Sequence, residues 1–168
     1  MIDPQEETRE TGLEVAVIGM AGRFPGAGNI HKFWENLKNG VESVTFFTDE
    51  ELIEAGVHPE ELEDSDYVKA KGYLENIEYF DAAFFGYTPG EATVMDPQLR
   101  FFHECVWEAL EDAGCDPDTY EGLIGVYFGA SDNLQWKIRV FATGGAGGND
   151  YAESLLSSTD LLATRLSY

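Results

Sequence analysis

Two short apolar runs constrain the fold of this chain more than any other feature of its sequence. They are residues 13–19 (LEVAVIG) and residues 123–129 (LIGVYFG), and glycine closes both. Near-continuous apolar runs of this length are typical of strands that are buried on both faces, as in a parallel sheet. Parallel strands need long crossover connections, which are usually helical. The two runs therefore predict a layered α/β fold.

Capping residues predict helices between these strands. Helix starts are expected after Asn29, Thr48 and Thr88, and the last two are each followed by Glu at the third position of a capping box. The longest predicted helix begins after Asp96 and stops at Gly114, with apolar residues at helical spacing along one side. A stripe of this kind packs on a sheet or on a partner helix.

Three further segments complete the outline. Residues 1–12 are acidic and polar, and they are predicted to be a linker or tail. Residues 131–141 and the glycine-rich residues 144–148 are predicted to form a loop. A helix capped by Asn149 or Asp150 is then expected to run through about Ala163.

The charge excludes several classes of function. The 168 residues carry 32 acidic and 10 basic side chains, a formal net charge of -22. Nucleic-acid binding normally requires a basic patch, and an anionic membrane surface would repel this chain. No apolar run reaches the length of a membrane span, and the N-terminus resembles no targeting peptide, so a cytoplasmic protein is expected. Residues 49–66 hold nine carboxylates without Lys or Arg; we interpret them as a solvated surface, since they lack an EF-hand pattern for calcium.

The cysteines and histidines form no metal motif. Cys105 and Cys115 are ten residues apart on or next to the long helix, a rise of roughly 15 Å, which is too far for a disulfide. Cys105 is predicted to be a packing residue. The histidines have none of the spacings that zinc sites use, and His103 on the long helix is expected at a polar or interface position. No metal is therefore predicted.

The glycine-rich turn after the first apolar run invites comparison with a dinucleotide site. Its glycines fall at Gly19, Gly22, Gly26 and Gly28, which does not match GxGxxG. A dinucleotide-binding module therefore remains a minor alternative. Ser131 follows the second run, where a hydroxyl is more often a cap than a nucleophile. The residues alone provide no complete set of nucleophile, base and oxyanion donors.

Seven motifs in fixed order resemble the start of a β-ketoacyl synthase domain of a modular polyketide synthase. The resemblance extends from about residue 13 to the last residue, and fatty acid synthases share parts of it. The motifs are EVAVIGMAGRFPGA (14–27), FWENL (33–37), FDAAFFG (80–86), MDPQLR (95–100), EALEDAG (108–114), GVYFGAS (125–131) and ATRLSY (163–168).

The resemblance implies the fold and the chemistry of the parent family. The fold would be thiolase-like, with αβαβα layers, of which this chain would be the N-terminal half only. The parent reaction is a decarboxylative Claisen condensation between an acyl thioester on a cysteine and a malonyl-type extender, assisted by two histidines. The substrates would arrive on the phosphopantetheine arm of an acyl carrier protein, and no cofactor would be bound directly. A homodimer and neighbouring synthase domains are the other expected partners.

No catalytic residue of the family can be assigned to this chain. The family's nucleophile follows the segment that resembles ATRLSY, its histidines come later still, and the sequence stops at Tyr168. Neither Cys105 nor Cys115 matches the nucleophile. Residues 13–168 are therefore expected to be the N-terminal portion of a ketosynthase domain, truncated before the nucleophile, inactive alone and with exposed apolar surface. The alternative is a short non-catalytic protein that dimerises or pairs with a complementary half.

Position in the family motif still suggests a binding role for three residues. Asn133, Trp136 and Phe141 follow the strand-like motif GVYFGAS and are candidates for lining the acyl channel or the subunit interface. Trp136 is also a candidate interface anchor. The helix over Asp96–Ala113 is expected to serve packing near the active-site floor, and Arg100 is expected to pair with a carboxylate.

Overall fold

The computed structural model describes residues 12–143, 156 and 161–167 of the chain. Most of the predicted linker (1–11) and the predicted helix start at residue 149 or 150 lie outside these residues. The described elements, in chain order, are α1 (Ile30–Lys38), β1 (Val44–Phe46), α2 (Asp49–Glu54), α3 (Pro59–Leu62), β2 (Ala70–Gly72), α4 (Pro89–Val94), α5 (Pro97–Asp112), α6 (Leu134–Ala142) and α7 (Leu162–Leu166).

The helix starts follow the capping pattern of the sequence. Asn29 caps α1 by accepting a hydrogen bond from the backbone N–H of Lys32 at 2.8 Å. Thr48 and Thr88 each form a complete capping box, at α2 and α4. Asp96 caps α5, and Gly114 beyond its end has a φ of 63°, the left-handed conformation that suits glycine. These predictions are confirmed, because a cap depends on residues only a few positions apart.

The two predicted buried strands are wrong for the described part of the chain. Residues 13–19 and 123–129 lie outside any strand, and Val15 and Tyr127 are 90% and 95% exposed. A strand needs neighbouring strands for its backbone hydrogen bonds, and the described residues supply none to these runs. The sheet that does form joins β1 and β2 as an antiparallel pair, with Val44 opposite Gly72. Neither β1 nor β2 was among the strands expected from the sequence.

The predicted loop over residues 131–141 is also wrong, because α6 occupies most of it. Asn133 caps this helix by accepting a hydrogen bond from the backbone N–H of Trp136 at 3.1 Å. Val140 is buried and Trp136 packs against the core. Packing of one helix face outweighs the weak helix propensity of the aromatic and β-branched residues in this segment.

The core lies where α4, α5, α6 and α7 meet. It forms around the corner between α4 and α5, where Met95 and Leu99 are fully buried. Its buried apolar members are Val94, Met95, Leu99, Val140, Leu156 and Leu162. The MDPQLR motif therefore lies at the centre of the described fold. None of the described helices is both long and apolar enough to cross a membrane.

Candidate functional site at the corner of α4 and α5

Arg100 holds the α4–α5 corner from inside the core. Its Nε and Nη2 donate to the carbonyl oxygen of Met95 at 3.2 and 2.9 Å, and Nη1 reaches the carbonyl of Ile77 at 3.4 Å. Burial lowers the pKa of the guanidinium, and the charge of Asp96 partly opposes this. No salt bridge reaches Arg100 from any described residue, so the expected carboxylate pairing is replaced by backbone carbonyls.

Trp136 joins α6 to this corner. Its indole Nε1 donates to the carbonyl oxygen of Val94 at 3.0 Å. The guanidinium carbons of Arg100 and Arg139 lie 5.3 and 5.6 Å from the ring centroid, within the range of cation–π attraction. The ring therefore faces the core, and its hydrogen bond satisfies one of the last carbonyls of α4.

The three residues singled out as a channel or interface set do not converge. The Asn133 side chain is used as a helix cap, Trp136 points inward, and Phe141 is 89% exposed. Phe141 shares the outer face of α6 with Leu134 and Ile138, which are also exposed. The helix thus has one face in the core and a second apolar face without a described partner.

The start of α5 is tied to the segment that leads into α6. Gln98 Nε2 donates to the carbonyl oxygen of Ser131 at 3.0 Å. The Oδ1 atom of Asp96 accepts from the Gln98 backbone N–H at 2.8 Å, whereas Oδ2 is buried without a hydrogen-bond partner. Together with the Trp136 hydrogen bond, these contacts fix the position of α6 relative to α5.

Arg23 connects the glycine-rich turn to the outer half of α5. Its Nη1 and Nη2 bind the two carboxylate oxygens of Glu108 at 2.7 and 2.5 Å, and Nη2 reaches Glu104 at 3.4 Å. The hydrogen bond from Arg23 lowers the pKa of Glu108, while burial raises the pKa of Glu104. A cavity of about 290 Å³ lies against Arg23 and Glu104. The two carboxylates thus share the Arg23 cation, and its hydrogen bonds to Glu108 are shorter than the one to Glu104.

The glycines of this turn have packing roles. A Cβ at Gly19 would come within 2.3 Å of the carbonyl oxygen of Ala109, so only glycine allows the segment to lie this close to α5. Gly26 has a φ of 67°, and its carbonyl accepts a hydrogen bond from Asn36 Nδ2 at 3.0 Å. The close approach at Gly19 and the positive φ at Gly26 are sufficient reasons for glycine at these two positions, without a role in binding a phosphate.

Cys105 lacks the surroundings that activate a thiol nucleophile. Cys105 is half-buried on α5, and burial raises the pKa of its thiol, which keeps it protonated near neutral pH. Within the described ranges, no group of three or more His, Cys, Asp or Glu side chains is placed to hold a metal ion. The described contacts around α5 therefore position the neighbouring helices.

Sequence reasoning missed two pairings that only tertiary structure brings together. Arg23 and Glu108 are 85 residues apart, and no local pattern links them. His103, expected at a polar or interface position, is buried against Tyr87. The one available signal was the position of His103 on the apolar side of the long helix.

Comparison with known proteins identifies the family of this sequence. Residues 13–168 match the family model described as beta-ketoacyl synthase, N-terminal domain. The chain is 42% identical over 163 residues to a phenolphthiocerol/phthiocerol polyketide synthase of Mycobacterium tuberculosis, covering 92% of this chain and 11% of that protein. It is 40% identical over 119 residues to the fatty acid synthase of Anser anser anser, covering 70% of this chain and 31% of that protein.

A solved structure agrees with the sequence comparison. Ketosynthase twelve from the bacillaene polyketide synthase of Bacillus amyloliquefaciens superposes with a TM-score of 0.66 at 33% identity, over 90% of this chain and 27% of that one. The chain thus has part of a thiolase-like α/β fold, and it spans about a quarter of the ketosynthase that it matches.

Proposed function

This chain belongs to the beta-ketoacyl synthase family, whose N-terminal domain it matches, and we propose that it forms the N-terminal portion of a ketosynthase domain in a polyketide synthase. The complete domain would carry out a decarboxylative Claisen condensation between an acyl thioester and a malonyl-type extender. The seven motifs in order and the similarity to polyketide synthases support this proposal. We expect these residues alone to be inactive, because none of the seven motifs contains the family's nucleophile or histidines.

The observation that carries the proposal is the exposure of the two apolar runs. Both have the composition of buried strands, yet Val15 and Tyr127 lie almost fully in solvent. Strands with this composition are stable only when neighbouring strands and helices cover them. The remainder of a ketosynthase domain would supply those neighbours, and residues 13–19 and 123–129 would join its central sheet.

The partners follow from the same assignment. Substrates would be carried on the phosphopantetheine arm of an acyl carrier protein in the cytoplasm, and the complete domain would form a homodimer beside other synthase domains. Asn133 and Trp136 would orient α6 by capping it and anchoring it to Val94. Phe141, on the outer face of that helix, would then contact the acyl channel or the second protomer.

Complementation tests this proposal. The chain is produced alone and together with the C-terminal remainder of a polyketide ketosynthase domain, which carries the family's cysteine and histidines. We expect a soluble one-to-one complex that takes an acyl group from an acyl-carrier-protein thioester, while each part alone does not. A complex without acyl transfer, or no complex at all, would contradict the proposal.

A second candidate function rests on the same exposed runs. The chain would then be a non-catalytic protein that pairs with a second copy of itself. Sedimentation equilibrium of the chain alone distinguishes the two: a stable dimer that leaves the C-terminal remainder unbound favours this alternative. Reading the open reading frame beyond the codon for Tyr168 adds a direct check, because the cysteine nucleophile of the family, encoded shortly after that codon, would support the ketosynthase.

A further inference from the structure

His103 lies between α5 and the segment that leads into α4. The residue is 7% exposed on α5. The rings of Phe80, Phe85 and Tyr87, all from the segment between β2 and α4, have centroids 6.0, 5.3 and 5.3 Å from it. Residues 80–87 therefore pack around one buried histidine.

Two hydrogen bonds determine where its proton lies. Nδ1 is 2.8 Å from the carbonyl oxygen of Leu99, which only accepts, so Nδ1 must carry the hydrogen. Nε2 is then the lone-pair nitrogen, and the Tyr87 hydroxyl, 3.1 Å away, donates to it. Both nitrogens are hydrogen-bonded in the neutral imidazole, and a second proton on Nε2 requires the Tyr87 hydroxyl to turn from donor to acceptor.

The charges around the ring oppose a second proton. Burial lowers the pKa of His103, and the cation of Arg165 on α7 lowers it further, whereas the bond to Leu99 acts in the opposite sense. Tyr87 is the titratable group facing the ring from residues 80–87. From α4, Glu91 accepts the hydrogen bonds of the Thr88 capping box, which lower its pKa, and the charge of Arg165 lowers it further, so this carboxylate partly balances the Arg165 cation.

The charged neighbours of His103 on α5 itself are occupied elsewhere. Arg100 donates to Met95, and Glu104 interacts with Arg23. Among the described residues, none of the ion pairs places a carboxylate at the imidazole. The cation that α7 contributes, Arg165, has a buried Nε without a hydrogen-bond partner.

We propose that the Tyr87–His103 pair is a pH-dependent latch that holds residues 80–87 and α7 against α5 while the imidazole is neutral. On acidification, Nε2 takes a proton from solvent and becomes a donor. The Tyr87 hydroxyl must then turn to accept, and the imidazolium is repelled by the cation of Arg165. Release of the segment lets water reach both charges. The latch does not depend on the proposed ketosynthase function.

Amide hydrogen exchange on the full chain tests the latch. Exchange rates are measured at about pH 7.5 and about pH 5.5 and divided by the intrinsic rate at each pH. A single linked proton changes an opening equilibrium by at most about tenfold per pH unit. We expect protection to fall by up to that factor in residues 80–87 and 162–166, with α1 unchanged. Equal protection at both pH values would overturn the proposal.

Variants identify the responsible group. His103→Leu removes the titrating ring while retaining apolar volume, and we expect protection that no longer depends on pH. His58→Gln is the matched control, because the side chain of His58 is 67% exposed, and it should leave the pH dependence intact. Loss of protection at low pH that persists in H103L would refute the latch.

A measurement on the unsubstituted chain covers the case in which H103L fails to fold. The ¹⁵N shifts of the imidazole nitrogens report both tautomer and protonation. We expect the Nδ1–H tautomer and a midpoint below the ordinary value of about 6.5. An Nε2–H tautomer, or a ring that is half-protonated at or above that pH, would be incompatible with the latch.

Discussion

The indole nitrogen of Trp136 donates a hydrogen bond to the carbonyl oxygen of Val94 across 3.0 Å, joining residues 42 positions apart. This bond attaches α6 to the end of α4. The same ring lies 5.3 Å from the guanidinium carbon of Arg100, which holds the corner between α4 and α5. One aromatic side chain of α6 therefore contacts both α4 and the arginine at the α4–α5 corner.

Replacing Trp136 should loosen this attachment. Trp136→Phe keeps most of the apolar area but leaves the Val94 carbonyl without its donor, a loss of about 1–3 kcal/mol when the group stays buried. Urea unfolding measures the change in the free energy of unfolding. Phe141→Ala on the exposed face of the same helix is the control and should stay within about 0.5 kcal/mol. Equal effects of the two substitutions would show that the bond to Val94 contributes nothing.

Removing the cation shared by α5 should destabilise the chain in a salt-dependent way. Arg23→Gln leaves Glu104 and Glu108 as like charges one turn apart, so we expect a loss of about 1 kcal/mol at low ionic strength that shrinks in high salt. Lys32→Gln is the control, because the Lys32–Glu35 pair is exposed on both sides and worth little. A loss that is independent of salt would argue against an electrostatic cause.

The two carboxylates should titrate on opposite sides of their ordinary range. Arg23 lowers the pKa of Glu108, whose stabilising contribution is present above its unfolded pKa and is lost as pH falls through the folded pKa. Burial raises the pKa of Glu104, so this group opposes folding as pH rises through its unfolded pKa. Side-chain NMR titration should give the lower midpoint for Glu108. In Arg23→Gln the Glu108 midpoint should rise; an unchanged midpoint would exclude Arg23 as the cause.

Gly19 should not tolerate a side chain. Gly19→Ala places a Cβ against the Ala109 carbonyl, and overpacking of this kind costs about 1–3 kcal/mol. The hydrogen bond from the Met20 N–H to Asp112 should weaken with it, seen as faster exchange of that amide. Gly28→Ala is the matched control, since no atom lies within 4 Å of a Cβ there. Wild-type stability of Gly19→Ala would contradict the close approach to α5.

The two cysteines should not accept an acyl group. After incubation with an acyl N-acetylcysteamine thioester, intact mass should show the unmodified chain, because the Cys105 thiol is protonated and neither cysteine matches the family nucleophile. Iodoacetamide treatment of the urea-unfolded chain confirms that both thiols are intact. Rapid stoichiometric acylation of Cys105 would refute the assignment, and Cys115→Ala would locate any adduct.

Prediction from sequence succeeded where the determining contacts are local. Thr48, Thr88 and Asp96 fix helix starts through bonds to residues two or three positions away. It failed at α6, where burial of Val140 overrides weak propensity. For the candidate residues Asn133, Trp136 and Phe141, the structure shows that Asn133 caps α6, that Trp136 faces the core and that Phe141 faces solvent. Their roles in a channel or interface stay proposals.

The sequence by itself determined the starts of α1, α2, α4 and α5, the order of the motifs and membership in the ketosynthase family, because these depend on residue identity and short spacing. Only the tertiary structure decided that residues 13–19 and 123–129 are left without strand partners among the described residues, that Arg100 binds backbone carbonyls, and that His103 is buried against Tyr87. Each of these outcomes depends on groups brought together from distant parts of the chain, and on the solvent that their packing removes.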